Sequence, residues 1–229
     1  MHDLQLALKK AIQYEPNNVK YIHQCAVAAE SIQNNDAANK YYLKALSLDP
    51  NNSKYCIHYG RFLCKNLRDF EQSRIYYQKA ISLQPENCTA YYRFAKILRN
   101  YMGDYEEAEK YYLKCLELKH DGFGIHGSYG YLLYLMGDVK KAMEYIKIQL
   151  DLDDESKWAH LYYGALNNVL GNDELKKSAM LKAVEFTSKM SSYKYIVREL
   201  QVLKMLDSSN VEYYQQFEQL LHRKFKRRN

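Results

Sequence analysis

The sequence predicts an all-α chain of stacked helix pairs, and three observations predict it. Related residues return every 35 positions: Tyr42, Tyr77 and Tyr112; Ala45, Ala80 and Cys115; Pro50, Pro85 and His120. Only 9 Gly and 3 Pro occur in 229 residues, too few for the turns of an all-β chain. No apolar run reaches the length of a membrane span. A period of this size belongs to solenoids, in which no unit buries its apolar face without its neighbours.

The elements follow in order. The opening "MHDLQLALKKAIQYEP" is amphipathic and carries Asp3 and Glu15, which suits a helix over about 3–15 and not a secretory signal. Helix pairs then begin near Val19, Ser53, Cys88, Phe123 and Lys157. The pairs that begin at Ser53 and Cys88 each need one extra residue in the turn between their helices. Small residues fall where two helices must approach closely: Gly60, Ala95, Gly130 and Gly164. Of the adjacent tyrosines Tyr41–Tyr42, Tyr76–Tyr77 and Tyr111–Tyr112, one ring of each pair is expected to pack inward and the other to keep its hydroxyl in water. A last pair, from about Ser192 to Phe225, has lost the pattern.

The segments "NKYYLKALSLDPNN", "SRIYYQKAISLQPEN" and "EKYYLKCLELKHDG", with Tyr91, Phe94, Ala95, Leu98 and the turn Gly103–Ala108 ("GDYEEA"), resemble the tetratricopeptide repeat (TPR). The resemblance covers roughly residues 3–188 and implies a right-handed α-solenoid of helix-turn-helix repeats. The expected organisation is a superhelix over 1–190, with repeats near 19–52, 53–87, 88–122, 123–156 and 157–190. Capping helices then follow over 191–222, with a basic tail over 223–229. Dense like charge in that tail gains little by ordering, so it is expected to be mobile.

One motif invites a different reading. Gly122-x-Gly124-x-x-Gly127 spells a dinucleotide-binding fingerprint. That loop must leave a β-strand, whereas here a helix beginning near Glu106 precedes it, so no nucleotide site is expected. His120, Asp121 and His126 lack a second pair of ligands at matching spacing, so no metal is expected either. Carboxylate pairs such as Glu106–Glu107 lie at helix starts, where they favour the helix dipole. No catalytic constellation and no cofactor site emerges.

The five cysteines (Cys25, Cys56, Cys64, Cys88 and Cys115) are odd in number, widely spaced and without a C-x-x-C pair. They read as small buried thiols in a reducing compartment, the cytoplasm with the nucleus open, and not as a disulfide framework or zinc site.

Charge points to a partner. The formal net charge is +6, and residues 53–100 carry nine basic side chains against Asp69, Glu71 and Glu86. By the resemblance, positions 2, 5, 6, 9, 12 and 13 of the first helices face ligands. In the N-terminal half these include Lys54, His58, Arg61, Lys65, Arg93 and Lys96. Lys54, His58, Arg61 and Lys65 step by four, three and four, on one stripe of one helix. Cations on such a stripe repel one another unless an acid is near, so the expected ligand is an acidic segment of a partner protein.

Farther along, the face carries Tyr92, Gly124, Gly127, Ser128, Tyr131, Trp158 and Tyr162. Its three small residues are expected to leave a hollow walled by aromatics, which would take a bulky anchor from the partner. The functional expectation is a non-enzymatic adaptor. The alternatives are a subunit built permanently into a large ciliary, transport or secretion complex, and an RNA-processing scaffold. Membrane insertion is not expected.

Overall fold

The computed structural model describes residues 13–118, 124–187, 193, 196–197, 200–201, 203–205 and 207–226. Of the expected opening helix only Gln13, Tyr14 and Glu15 are described, and the first two are helical. The described residues hold no strand. None of their helices is long and apolar enough to cross a membrane. The chain divides into two compact units, residues 1–118 and 119–229, each an α-solenoid of paired helices.

In the N-terminal unit the pairs are α1 (Val19–Ser31) with α2 (Asn35–Leu48), α3 (Ser53–Phe62) with α4 (Phe70–Leu83), and α5 (Cys88–Ile97) with α6 (Tyr105–Glu117). In the C-terminal unit they are α7 (Ile125–Leu135) with α8 (Val139–Leu152) and α9 (Lys157–Val169) with α10 (Asp173–Glu185). A 3-10 turn, Ser208–Asn210, then leads into α11 (Val211–Lys226).

The helices start where short polar side chains satisfy their first free N–H groups. Asn18, Asn34, Asn52, Asp69, Asp104 and Asp138 each accept a bond from the backbone N–H three residues on. The turns inside the pairs close on a left-handed residue. Gln33, Gly137 and Gly171 take this role in the 34-residue repeats, and Arg68 and Gly103 in the 35-residue ones.

The extra residue of the longer repeats is absorbed at the end of the first helix. Leu63–Leu67 and Leu98–Met102 wind as single π-helical turns, closed by Asp69 N–H on the Leu63 carbonyl and Asp104 N–H on the Leu98 carbonyl. The second helix of each pair therefore keeps its place, and the insertion is confined to the turn that carries Lys65 and Arg99.

Packing follows the expected pattern. Tyr42, Tyr77 and Tyr112 are fully buried, while Tyr41, Tyr76 and Tyr111 are half-buried. A Cβ on Gly60 would lie 3.1 Å from the Tyr77 ring, and one on Gly130 would lie 2.9 Å from Ile146, each within its own pair. Gly164 differs, because its close neighbour is the Tyr213 ring of α11.

Two expectations are corrected here. The sulfurs of Cys88 and Cys115 are joined, with their Cα atoms 5.0 Å apart; Cys25, Cys56 and Cys64 are buried free thiols. The reason is repeat geometry: Ser53 and Ala80 stand 35 residues earlier, and there the Ser53 hydroxyl donates to the Ala80 carbonyl at 3.1 Å. In these two repeats position 1 therefore meets the last turns of the second helix, and two cysteines at those places fall within bonding range. The basic tail is also packed through Lys226. α11 continues to that residue, Phe225 is buried, and the Lys224 ammonium donates to the carbonyls of Val184 and Glu185 at 2.7 Å each. A cation on the last carbonyls of a helix satisfies orphan acceptors, which outweighs the repulsion within the run. Residues 227–229 lie outside the described residues.

Candidate functional site

The N-terminal unit builds its first-helix face from α1, α3 and α5. At its centre two imidazoles meet: His23 of α1 and His58 of α3, with ring centroids 4.8 Å apart. His23 also stacks on Tyr55 at 4.6 Å and meets Tyr42 edge-on at 5.8 Å. It is 6% exposed, and neither its Nε2 nor the His58 Nδ1 finds a hydrogen-bond partner among the described residues. Burial, with Lys54 and Arg61 nearby, pushes His23 down to about 4. Burial likewise pushes His58 down to about 3, helped by His23, Arg61, Arg93 and Lys54. Both rings are therefore neutral near pH 7.

The cations of this face do not share one fate. The Arg61 guanidinium bonds Glu30 at 2.7 Å, and the Tyr42 hydroxyl donates to the same carboxylate oxygen at 2.8 Å. Glu30 is the acid that the stripe required, and it commits Arg61 to holding α1 against α3. Lys65, carried by the π turn, lies with Arg68 over the Tyr101 ring, at 5.8 and 5.7 Å. Lys96 lies 5.6 Å over Tyr92, whose ring meets Tyr112 edge-on at 6.2 Å. Lys54 is exposed and Arg93 half-buried, and among the described residues neither has a carboxylate partner.

The C-terminal unit treats its first-helix face differently. Gly124 takes a left-handed conformation (φ 63°) as the residue before α7, a turn role that glycine suits. Gly127 faces Gln149 of α8. A Cβ there would lie 3.1 Å from the Gln149 side chain, and the Gly127 N–H donates to Gln149 Oε1 at 3.3 Å. The hollow expected from Gly124, Gly127 and Ser128 therefore holds the chain's own Gln149, and Ser128 is buried. Tyr131 is fully buried and stacks on Tyr162 at 4.3 Å, and Trp158 also stacks on Tyr162, at 6.3 Å. His126 stacks on Tyr145; His120, Asp121 and Gly122 lie outside the described residues.

Farther along the same face the chain covers itself. Tyr134 of α7 and Asn168 of α9 both hold position 12, a ligand position by the family resemblance. Asn210 bonds both of them, at 2.8 Å to Asn168. Buried Asp207 accepts from the hydroxyls of Tyr134 at 3.1 Å, Tyr214 at 2.6 Å and Ser209 at 2.7 Å. The Tyr213 hydroxyl donates to the Leu161 carbonyl at 2.7 Å. Sequence reasoning missed Asp207 and Asn210, since "DSSN" ahead of a helix reads as an ordinary cap. It missed Glu30 as well, because its partners Tyr42 and Arg61 lie on other helices.

Comparison with known proteins agrees with this geometry. Family models described as the tetratricopeptide repeat match residues 19–52, 53–87 and 76–110. Residues 19–110 are therefore tetratricopeptide repeat sequence. No curated protein matches it by sequence. Among solved TPR-like structures, PilF of Pseudomonas aeruginosa is 21% identical over 85% of this chain and 87% of its own, with a TM-score of 0.65. Yeast Tom70 is 19% identical over 97% of this chain and 46% of its own, with a TM-score of 0.68. YrrB, a TPR protein with an unusual peptide-binding site, is 19% identical over 81% of this chain and 95% of its own, with a TM-score of 0.56. At such identities the likeness is one of fold, and TPR domains serve generally as protein-interaction modules.

Proposed function

We propose that this TPR protein is a non-enzymatic scaffold that holds an acidic segment of a partner protein on the first-helix face of its N-terminal unit. The observation that carries the reading is that Lys54 and Arg93 flank the imidazole pair with no carboxylate of their own among the described residues, while Arg61 is already satisfied by Glu30. A carboxylate placed there gains charge-assisted hydrogen bonds without displacing an internal one. Lys96, above Tyr92, adds a cation with an aromatic neighbour. Peptide binding by YrrB is a precedent for the fold. The aromatic-anchor version of the reading loses its support, because Gln149 fills the space beside Gly127.

The test is affinity capture of native partners with mass spectrometry, using the wild type and a Lys54→Glu/Arg93→Glu/Lys96→Glu variant. Acidic partners should elute with moderate salt and be absent from the variant. Equal capture by both proteins sinks the reading. A permanent place in a larger assembly is the second reading. A partner held that way should resist salt and ignore the charge reversals.

A further inference from the structure

The groove of the N-terminal unit contains a feature that simple charge attraction does not use. Two imidazoles lie in contact beneath its cations, each with a buried ring nitrogen that has no hydrogen-bond partner among the described residues. A buried polar atom without a partner costs stability, so its retention calls for a reason. Among the described residues, charged and titratable groups from four helices surround the pair. From α3 come Lys54, Tyr55 and Arg61; from α5, Arg93; from α2, Tyr42; from α1, Glu30. Tyr77 of α4 lies near Arg61. Glu30 is the acid of the set, and Arg61 and Tyr42 already bond it. A proton on either ring would therefore add a cation to a surface that already has three.

We propose that binding of an acidic segment here is proton-coupled, the docked carboxylates allowing the His23–His58 pair to take up a proton from solvent. The proposal rests on the reading of this face as an acidic-segment groove. A carboxylate near Lys54 and Arg93 supplies the negative charge that the free groove lacks, so the complex binds a proton more readily than the free protein does. By linkage, whatever promotes proton uptake on binding is promoted by acid in return. Burial and the surrounding cations hold both rings neutral in the free protein near pH 7; docked carboxylates that bring the pair back toward the ordinary imidazole value make affinity rise as pH falls below neutral. His23 and His58 are the histidines described in this unit, so the titration can be assigned by substitution.

The experiment uses the full chain and a fluorescein-labelled peptide of alternating aspartate and glycine, whose carboxylates stay ionised above about pH 5. Anisotropy titrations at low salt should show affinity rising about fivefold to tenfold between about pH 7.5 and 5.5. A His23→Gln/His58→Gln variant, whatever its affinity at the upper pH, should show no rise as pH falls. A flat wild-type profile, or an equal rise in the variant, overturns the proposal while leaving the groove reading in place. Absence of binding at both pH values overturns the groove reading and the proposal with it. Should the double variant fold poorly, calorimetry of the wild type near pH 6 in two buffers of different ionisation enthalpy decides directly. Uptake of about half a proton to one proton on binding is expected, and none would overturn the proposal.

Discussion

The two units are made of the same helix pairs, yet their first-helix faces end in opposite conditions. In the N-terminal unit Lys54 and Arg93 flank two neutral histidines and have no acid of their own among the described residues. In the C-terminal unit Asn210 and Asp207 reach position 12 of the first helices from the chain's own last segment, and Tyr131 is fully buried. Repeat architecture creates a ligand face wherever first helices line up, but whether that face is open is set by what the chain folds onto it. Among the described residues, identical backbone logic therefore gives a surface with unsatisfied cations in one place and a hydrogen-bonded seal in the other.

The seal should break with the largest effect. Asp207→Ala removes the acceptor for Tyr134, Tyr214 and Ser209, leaves the buried Tyr214 hydroxyl without it, and should cost the C-terminal unit about 3–5 kcal/mol. Urea unfolding followed by hydrogen exchange would show the loss confined to residues 124–226; loss across both units would mean that the contrast between them is wrong.

The N-terminal unit has its own fastening. Reducing the Cys88–Cys115 bond, which spans 27 residues of sequence, should lower stability by about 2–4 kcal/mol. A Cys88→Ser/Cys115→Ala variant reproduces the residues of the preceding repeat, Ser53 and Ala80, and should recover about 1 kcal/mol through the same hydroxyl-to-carbonyl bond. Thermal melts with and without reductant would check both figures. A wild type indifferent to reductant would show that repeat packing alone holds that pair.

Gly164→Leu should cost about 1–3 kcal/mol by driving a side chain into Tyr213. A Tyr213→Ala change in the same chain should relieve part of that cost, and a double-mutant cycle would measure the coupling. At the small end, Lys224→Ala removes two bonds to the last carbonyls of α10 and should cost about 1 kcal/mol. An unchanged melting temperature would restore the idea of a loose basic tail.

Acid should weaken the N-terminal unit through its buried histidine pair. His23 and His58 are held below their ordinary values, so the unfolded chain takes up protons on them before the folded chain does. Their contribution to stability is full above about pH 6.5 and falls as pH drops from there toward 4. Denaturation midpoints at descending pH should decline less in a His23→Gln/His58→Gln variant than in the wild type. Parallel declines would mean that the two rings titrate normally.

Legibility in the sequence depended on how local each feature is. The π turns at Leu63–Leu67 and Leu98–Met102 were foreseeable as an extra residue, because a 35-residue spacing beside 34-residue neighbours has to be absorbed somewhere in the turn. The buried and half-buried members of each tyrosine pair follow from helical periodicity alone. The cationic stripe was legible for the same reason. Its division was not: Arg61 meets Glu30 from 31 residues earlier, on another helix. The hollow at Gly127 failed similarly, since the small residues were visible along α7 but the side chain that fills the space comes from α8.

By itself the sequence determined the fold family, the helix pairs, their caps and the placement of positive charge, because each arises between residues a turn or a repeat apart. Tertiary structure alone decided which cations stay unsatisfied, that Gln149 occupies the glycine space, that Cys88 reaches Cys115, and that Asp207 and Asn210 close the second face. The physical reason is distance along the chain. Propensity, capping and periodicity act over a few residues, whereas a buried hydrogen bond or a filled space exists only where packing brings remote segments within a few ångströms.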